Sequence, residues 1–487
     1  MESEPRRGFA PLQPGQTIDG FRLEERTHEG GMAILWRVVR IGGEGDGDGG
    51  PPLIMKVPRI KGGEDPASIV GFEVEQMIMP TLSGVHVPRF VAKGDFTGRP
   101  YIVMERIAGE SLKARFDASP LPLDEVVQIG AKVATALHDL HRQHVIHLDI
   151  KPSNIMLREG SGSEAGQAVL IDFGLSRHDR LPDLLEEEFE LPMGTGPYMS
   201  PEQVQFVRND PRSDLFALGV MLYHLATGAR PFGAPTSVRG LRRRLYHEPV
   251  PPRLLRREMP PWLQEVILRC LEVQPARRHQ SAAQLAFELQ NPDQVALTER
   301  AERLTRAGAL TRWKRWFAAL GAEPTFTGGA TDQAARSPIL LAALDVAGAE
   351  PALLDAVRIT VQRMLQTEPG ARLACLAVLK TNLIGSDELV EADGSSRHLS
   401  LLVQLKHWAH PIVKAIDPQG SGHAGRVTFH VLEAPDAASA IVDYASKNQV
   451  DAIVLGARSS GGLRRYLGSV SAQVAAEAPC TVTVVRT

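Results

Sequence analysis

The chain has 487 residues, 43% of them hydrophobic and 23% charged, with a formal net charge of −3. That length exceeds one ordinary domain, and the composition is that of a globular rather than a disordered protein. The near-neutral charge excludes a global pull toward nucleic acid or anionic membrane, and no apolar run approaches the roughly 20 residues needed to cross a bilayer. The opening MESEPRRGFAPLQPGQ lacks the apolar centre of a secretory signal. Cys270, Cys375 and Cys480 lie far apart with no CxxC pair, which suits buried thiols in a reduced cytosol. A cytoplasmic protein of two or three domains is expected.

Residues 1–16 read as a flexible arm rich in proline and charge. From Phe21 to Val57 the pattern is of strands broken by glycines. Within it, GGEGDGDGGPP (42–52) reads as a surface loop, because so many glycines are costly to order. Residues 66–82 have a helical pattern, and Phe90 to Arg106 returns to strands, ending in the apolar run from Tyr101 to Met104. After Leu123 long amphipathic helices begin, the first being DEVVQIGAKVATALHDLHRQ (124–143). A strand-rich lobe followed by a helix-rich lobe thus fills residues 17–290. Residues 291–336 read as a helical linker, in which Trp313 and Trp316 share a face. Packing of that helix on a neighbouring domain is preferred over a membrane-surface or partner-binding role.

From 337 to 487 strand and helix alternate. The segments are ILLAALD (339–345), a helix at 350–367, RLACLAVL (372–379), VTFHVLEA (427–434), a helix at 438–449, DAIVLGA (451–457) and TVTVV (481–485). Continuous apolar strands separated by helices predict a parallel sheet covered on both faces. Within this domain the stretch 380–426 is left unassigned.

Five stretches of the first domain carry chemistry. HVIHLDIKPSNIML (144–157) sets Asp149, Lys151 and Asn154 among apolar neighbours. VLIDFGLSR (169–177) is a short apolar strand that delivers Asp172 to a turn opened by Gly174. LIMKV (53–57) places Lys56 on an apolar strand, where an unpaired ammonium is expensive to bury, so an anionic partner is needed. RPYIVMERIAGESL (99–112) is an apolar strand running into a polar segment. GTGPYMSPEQ (194–203) is followed by SDLFALGVMLYHLATGARPF (213–232) and QPARRHQSAAQL (274–285). Taken in chain order, they resemble the eukaryotic-like Ser/Thr protein kinases of bacteria.

The resemblance implies an α+β two-lobed protein kinase fold. It also implies transfer of the ATP γ-phosphate to protein hydroxyls, including the chain's own, with magnesium as cofactor and manganese as the alternative ion. Such transfer needs immobilised phosphates, metal to neutralise charge and a hydroxyl aimed in line. By the resemblance Asp149 would accept or orient the hydroxyl proton, and Lys151 would neutralise the moving phosphate. Asn154 and Asp172 would hold the metal, which prefers oxygen ligands. Lys56 would bind ATP phosphates and pair with Glu75 of GFEVEQMIM (71–79), with Glu73 as the fallback. Met104 would face adenine, and Glu105 to Ile107 would offer it backbone hydrogen bonds. Thr195 would touch Asp149 and Lys151, Glu202 would pair with Arg278 in a buried structural bridge, and Asp214 would brace the catalytic loop.

Two features depart from that pattern. In RTHEGGMAILW (26–36) Gly30 survives, joined by Gly31, while His28 and Ala33 stand where the family's loop has glycines. Since backbone must approach phosphate closely there, weaker ATP affinity is expected. Leu148 replaces an arginine that in the family meets a phosphorylated activation segment. The segment here offers few hydroxyls, mainly Ser176, Thr195 and Ser200, and carries EEEFE (186–190), so activity independent of its phosphorylation is expected. These departures keep a second reading open, a pseudokinase acting as a nucleotide-responsive scaffold. The basic runs RGLRRRL (239–245) and RLLRRE (253–258) read as a solvated face, with a docking site for an acidic protein as the alternative.

The stretch 451–487 resembles the end of universal stress protein domains, which implies an α/β Rossmann-like fold with a mostly parallel sheet. The family's nucleotide motif, G-x2-G-x9-G-[ST], reads here as Gly456, Ser459, Gly468 and Ser469, with one glycine replaced and one residue missing. Asp345 matches the family's base- or ribose-contacting aspartate. A second nucleotide site at Asp345, Gly456, Gly468 and Ser469 is weighed against a docking or dimerising module, the favoured reading. The resemblance implies a homodimer through the last strand. No protein substrate can be named from the residues.

Overall fold

The structure is a computed structural model that describes residues 11–30, 33–41, 51–59, 66–94, 99–160, 166–189, 192–305, 338–368, 370–381, 396–416, 426–457 and 469–486. The 42–50 part of the glycine-rich insert and the tryptophan pair at 313 and 316 lie outside the described residues.

The small lobe is an antiparallel sheet of β1 (Thr17–Ile18), β2 (Phe21–Glu29), β3 (Ala33–Arg40), β4 (Leu53–Pro58), β5 (Phe90–Gly94) and β6 (Tyr101–Glu105), in the order β1-β2-β3-β4-β6-β5. Alternation along the strands puts Phe21, Leu23, Trp36, Val38, Met55, Val57, Tyr101 and Val103 into one core. Helix α1 (Pro66–Ile78) follows β4.

The large lobe is built around α2 (Leu123–Arg142) and, later in the chain, α4 (Arg212–Thr227). Helix α2 opens with Asp124 and Glu125 and closes with His141 and Arg142, charges that complement the helix dipole. Val126, Ile129, Val133, Leu137 and Leu140 form its buried stripe. Helix α4 is buried nearly all round, as the central helix of a lobe should be. Between them lies the short helix α3 (Leu184–Glu188). The start of the expected linker packs on this lobe as well. Val295 and Ala301 are buried, and the Glu265 carboxylate accepts hydrogen bonds from the amides of Thr298 and Ala301 at 3.1 Å each.

The C-terminal domain is a parallel sheet of β7 (Ile339–Ala343), β8 (Arg372–Lys380), β9 (Val427–Ala434), β10 (Ala452–Gly456) and β11 (Thr481–Val485), ordered β9-β8-β7-β10-β11. Helices α5 (Pro351–Thr367), α6 (Arg397–Ile416), α7 (Ala437–Lys447) and α8 (Ser469–Glu477) cover it. Period-two alternation sends Leu340 and Ala342 into one core with α5 and α6, and Ile339, Leu341 and Ala343 into another with α7 and α8. Helix α6 falls in the stretch left unassigned from sequence. Its signal was present, since Leu399, Leu402, Leu405, Trp408, Ala409 and Ile412 recur at helical spacing and are buried, although Pro411 interrupts the run. Cys270 and Cys375 are buried and Cys480 is half-buried, all as free thiols. No helix among the described residues is long and apolar enough to cross a membrane.

Candidate active site

Strand β4 carries Lys56 into the cleft between the lobes, where it meets the helix carboxylate expected for it, Glu75, and also Asp172. The Lys56 ammonium lies 2.5 Å from Glu75 Oε2 on α1 and 2.9 Å from Asp172 Oδ1. Burial alone would lower the Lys56 pKa, but Asp172 and then Glu75 outweigh it and hold it above its usual value. Lys56 in turn holds the Asp172 carboxyl down to about 2, against the opposing effect of burial. Glu75 is buried deeply enough that its carboxyl is raised despite Lys56. Glu73, the fallback partner, pairs with Lys406 of the C-terminal domain instead.

Helix α1 can come this close for a reason the sequence reading missed. One turn before Glu75, Gly71 faces the backbone of Gly174 so tightly that a Cβ on Gly71 would sit 3.0 Å from the Gly174 carbonyl oxygen. A Cβ on Gly174 would sit 3.2 Å from the carbonyl of Gly71. Two glycines from distant segments therefore set the distance between α1 and the turn that bears Asp172. Asp172 itself has φ +68° and Leu148 φ +61°, left-handed conformations that non-glycine residues adopt at a cost.

Below Lys56 the loop 147–154 assembles around Asp149, which is 6% exposed. Asp149 Oδ1 accepts from Thr195 Oγ1 at 2.6 Å and from the Thr195 amide at 3.1 Å. Its Oδ2 accepts from Lys151 Nζ at 2.6 Å and Asn154 Nδ2 at 3.1 Å. Lys151 also donates to Thr195 Oγ1 at 3.1 Å. The loop is braced from below by Asp214 at the start of α4. Its carboxylate accepts from the amides of His147 and Leu148 at 2.9 and 2.8 Å and lies 2.9 Å from His141 Nε2.

The segment after Thr195 is anchored by a buried ion pair. Arg278 donates to both oxygens of Glu202 at 2.6 and 2.7 Å, Ser213 Oγ donates to Glu202 at 2.8 Å, and the guanidinium lies over the Phe216 ring. Ser200 caps the next helical turn, and Gln203 Nε2 donates back to the Leu148 carbonyl at 2.7 Å. The reading of 239–245 as a solvated face needs a correction at one position. Arg244 is 1% exposed and donates to the carbonyls of Met199 and Gly196, and burial lowers its pKa to about 10. Arg239, Arg242 and Arg243 are exposed as expected. In the second basic run, Arg253 donates to the Ala301 carbonyl at 2.9 Å, and Arg256 donates to those of Leu121 and Ala226.

Met104, on β6, is half-buried and packs against the apolar cores on both sides of it. The amides of Glu105 and Arg106 donate to the carbonyls of Arg89 and Pro52 at 2.9 and 2.7 Å. His28 is exposed on β2, and its Nε2 lies 3.5 Å from where a Cβ on Gly30 would stand. Gly31 lies outside the described residues. In the C-terminal domain, Asp345 just follows β7 and accepts from the Gly348 amide at 2.9 Å. Gly456 ends the neighbouring strand β10 at the same edge of the sheet, and Ser469 begins α8. Gly468 lies outside the described residues.

A divalent cation fits the oxygen donors of this cleft. Lys56 holds the Asp172 carboxyl low, its side chain is 45% exposed, and Asn154 is brought beside it by the Ile171 amide, which donates to the Asn154 carbonyl at 3.0 Å. Among the described residues no group of three or more His, Cys, Asp and Glu side chains is arranged to hold a metal. A cation here would need ligands from a nucleotide's phosphates, as magnesium commonly does.

The geometry defines a two-lobed domain whose cleft gathers Lys56, Glu75, Asp149 and Asp172, joined to a parallel α/β domain, and family models match both parts. The family described as "Protein kinase domain" matches residues 68–288, and the "Universal stress protein family" matches residues 337–486. The chain thus joins a protein kinase domain to a universal stress protein domain, and the relatives of the first are bacterial serine/threonine-protein kinases. It is 34% identical to the serine/threonine-protein kinase pkn3 of Myxococcus xanthus over 291 residues, 57% of this chain and 51% of that protein. It is 30% identical to the serine/threonine-protein kinase PknB of Mycolicibacterium smegmatis over 324 residues, 61% of this chain and 49% of that protein. The chain spans about half or less of the length of the curated relatives it matches. Among solved structures, the Mycobacterium tuberculosis PknI kinase domain matches at 23% identity and a TM-score of 0.43, over 57% of this chain and 99% of that one.

Proposed function

We propose that the chain is an ATP- and magnesium-dependent protein serine/threonine kinase, with manganese as an alternative ion, and that Lys56, Glu75, Asp149, Lys151, Asn154 and Asp172 perform its chemistry. The observation that carries this reading is the convergence of Lys56, Glu75 and Asp172 at 2.5–2.9 Å above an Asp149 engaged by Lys151 and Thr195. Lys56 would place the nucleotide phosphates, and Asp172 with Asn154 would hold the cation whose charge offsets that of the phosphates. Asp149 would take or orient the proton of the incoming hydroxyl, with Lys151 beside the moving phosphoryl group. With the amides of Glu105 and Arg106 engaged, adenine would meet Ile107 and carbonyls of the same segment. On this reading residues 17–290 form the kinase domain, 291–336 the linker and 337–487 the universal stress protein domain. A cytoplasmic setting fits the free thiols.

The test is incubation with labelled ATP and magnesium, wild type beside Asp149→Ala. Loss of a positioned general base lowers transfer by about 10²–10⁴-fold. Background labelling in both proteins would instead favour a nucleotide-responsive scaffold.

A further inference from the structure

The acidic helix α3, which the cleft chemistry does not use, is where the two domains meet. It starts at Asp183, whose carboxylate accepts from the Glu186 amide at 3.2 Å and is paired with Arg208 at 2.8 Å and Arg177 at 3.5 Å. The next carboxylates reach into the C-terminal domain. Arg372, at the start of β8, donates to both oxygens of Glu187 at 2.8 Å each, and Tyr444 Oη on α7 donates to Glu187 Oε2 at 3.1 Å. His430, on the edge strand β9, lies 3.2 Å from Glu187 through Nε2 and 3.1 Å from Glu188 through Nδ1. Thr428 lies 2.9 Å from the same Nε2. This is an enclosed contact, since the His430 side chain is fully buried and those of Glu187 and Glu188 are 10% and 2% exposed. Burial would raise the Glu187 carboxyl, but His430 and Arg372 outweigh it and hold it below its usual value.

A second grip falls on α1. Glu73 pairs with Lys406 of α6, whose ammonium lies 5.4 Å from the Phe429 ring centroid. Ile69 and Phe72 of α1 share a continuous apolar core with Leu399, Leu402, Leu405 and Trp408. Two residues apart on a helix is about 200° of rotation, so Glu73 and Glu75 point to roughly opposite sides. Helix α1 is therefore pinned between Lys406 on one side and Lys56 on the other.

We propose that the C-terminal domain is a built-in activating clamp: by gripping Glu73 of α1 and Glu187 and Glu188 of the activation segment, it holds Glu75 and Asp172 at Lys56 with permanent charges in place of a phosphate. The clamp rests on the kinase reading for its consequence, though not for its geometry. Leu148 is buried and offers no cation to the segment. The cations that hold α3 come instead from Arg177 and Arg208 on one side and from Arg372 on the other, where the His430 ring also contacts Glu187 and Glu188. The sign follows from the docked arrangement. With the domain in place the Lys56–Glu75 and Asp149–Thr195 contacts are closed, whereas an inhibitory dock would hold α1 away.

The test uses the full chain with Arg372→Glu and Lys406→Glu, two variants on different elements. Amide hydrogen exchange of residues 66–78 and 184–188 is read beside phosphotransfer to casein. Each variant is expected to speed exchange in both segments and to lower transfer by about 5–150-fold, the range of ordinary coupling between sites. Thermal melting that retains the C-terminal transition separates loss of docking from loss of folding. Unchanged exchange overturns the clamp, faster exchange with unchanged transfer overturns its role, and faster exchange with higher transfer makes the dock inhibitory. If the wild type transfers no more than Asp149→Ala, the kinase reading fails while exchange still decides whether the domain orders α1 and α3.

Discussion

Gly71 offers the sharpest test of how the cleft is set. In the middle of α1 a glycine costs the helix roughly 0.5–1 kcal/mol relative to alanine, so Gly71→Ala should stabilise the helix by that amount if nothing opposed it. The opposing contact is specific. The new Cβ would stand 3.0 Å from the carbonyl oxygen of Gly174, where ordinary contact is 3.4–4 Å, and the atom it meets is backbone rather than the end of a flexible side chain. Relief requires α1 to move by a few tenths of an ångström away from the turn that bears Asp172. Glu75, one turn along the same face, moves with it, and its 2.5 Å contact with Lys56 opens. Gly71→Ala should therefore keep or slightly raise the melting temperature while lowering kcat, and Gly71→Val should lower both, with about 1–3 kcal/mol of overpacking. Steady-state phosphotransfer and thermal melting of the two variants check this. Wild-type kcat in Gly71→Val would refute the claim that this approach sets the cleft.

The buried Glu202–Arg278 pair should be costly to break from one side. Arg278→Met leaves Glu202 without its main partner and should destabilise the kinase domain by about 3–5 kcal/mol, read by urea unfolding. His28→Gly should tighten nucleotide binding by clearing the space beside Gly30, and isothermal titration with ATP and magnesium measures it. The interface carboxyls should respond to pH with opposite signs. Glu187, held low, contributes stability that is full above about pH 4.3 and lost as the pH falls below it, so Glu187→Gln should flatten the acid limb of the melting profile. Glu188, raised by burial, contributes fully below about pH 4.3 and less as pH rises through its raised value, so Glu188→Gln should remove that decline. Melting profiles identical to wild type would count against the burial of both groups.

Much of the kinase cleft was legible because its parts sit in short local runs. An apolar strand fixes where Lys56, Asp149 and Asp172 emerge, and the order of the runs fixes which lobe each belongs to. Glu75 rather than Glu73 is the partner of Lys56, and the alignment from sequence chose it. The parallel sheet of the C-terminal domain was equally plain from its continuous apolar strands. What escaped was long-range. Arg244 looked like one more exposed arginine until the carbonyls of Gly196 and Met199 were seen to close around it. Gly71 carried no signal, since its reason is the backbone of Gly174, about a hundred positions later.

The sequence by itself determined the two folds and which side chains the cleft would be built from, because hydrophobic period and motif order are local properties that survive reading one residue at a time. Only the tertiary structure decided where Glu187 and Glu188 of the EEEFE run find their partners. Glu188 meets His430 across 242 residues of chain, and charge complementarity at that separation leaves no pattern in either segment alone. The two domains are one machine or two according to contacts that exist only after both have folded.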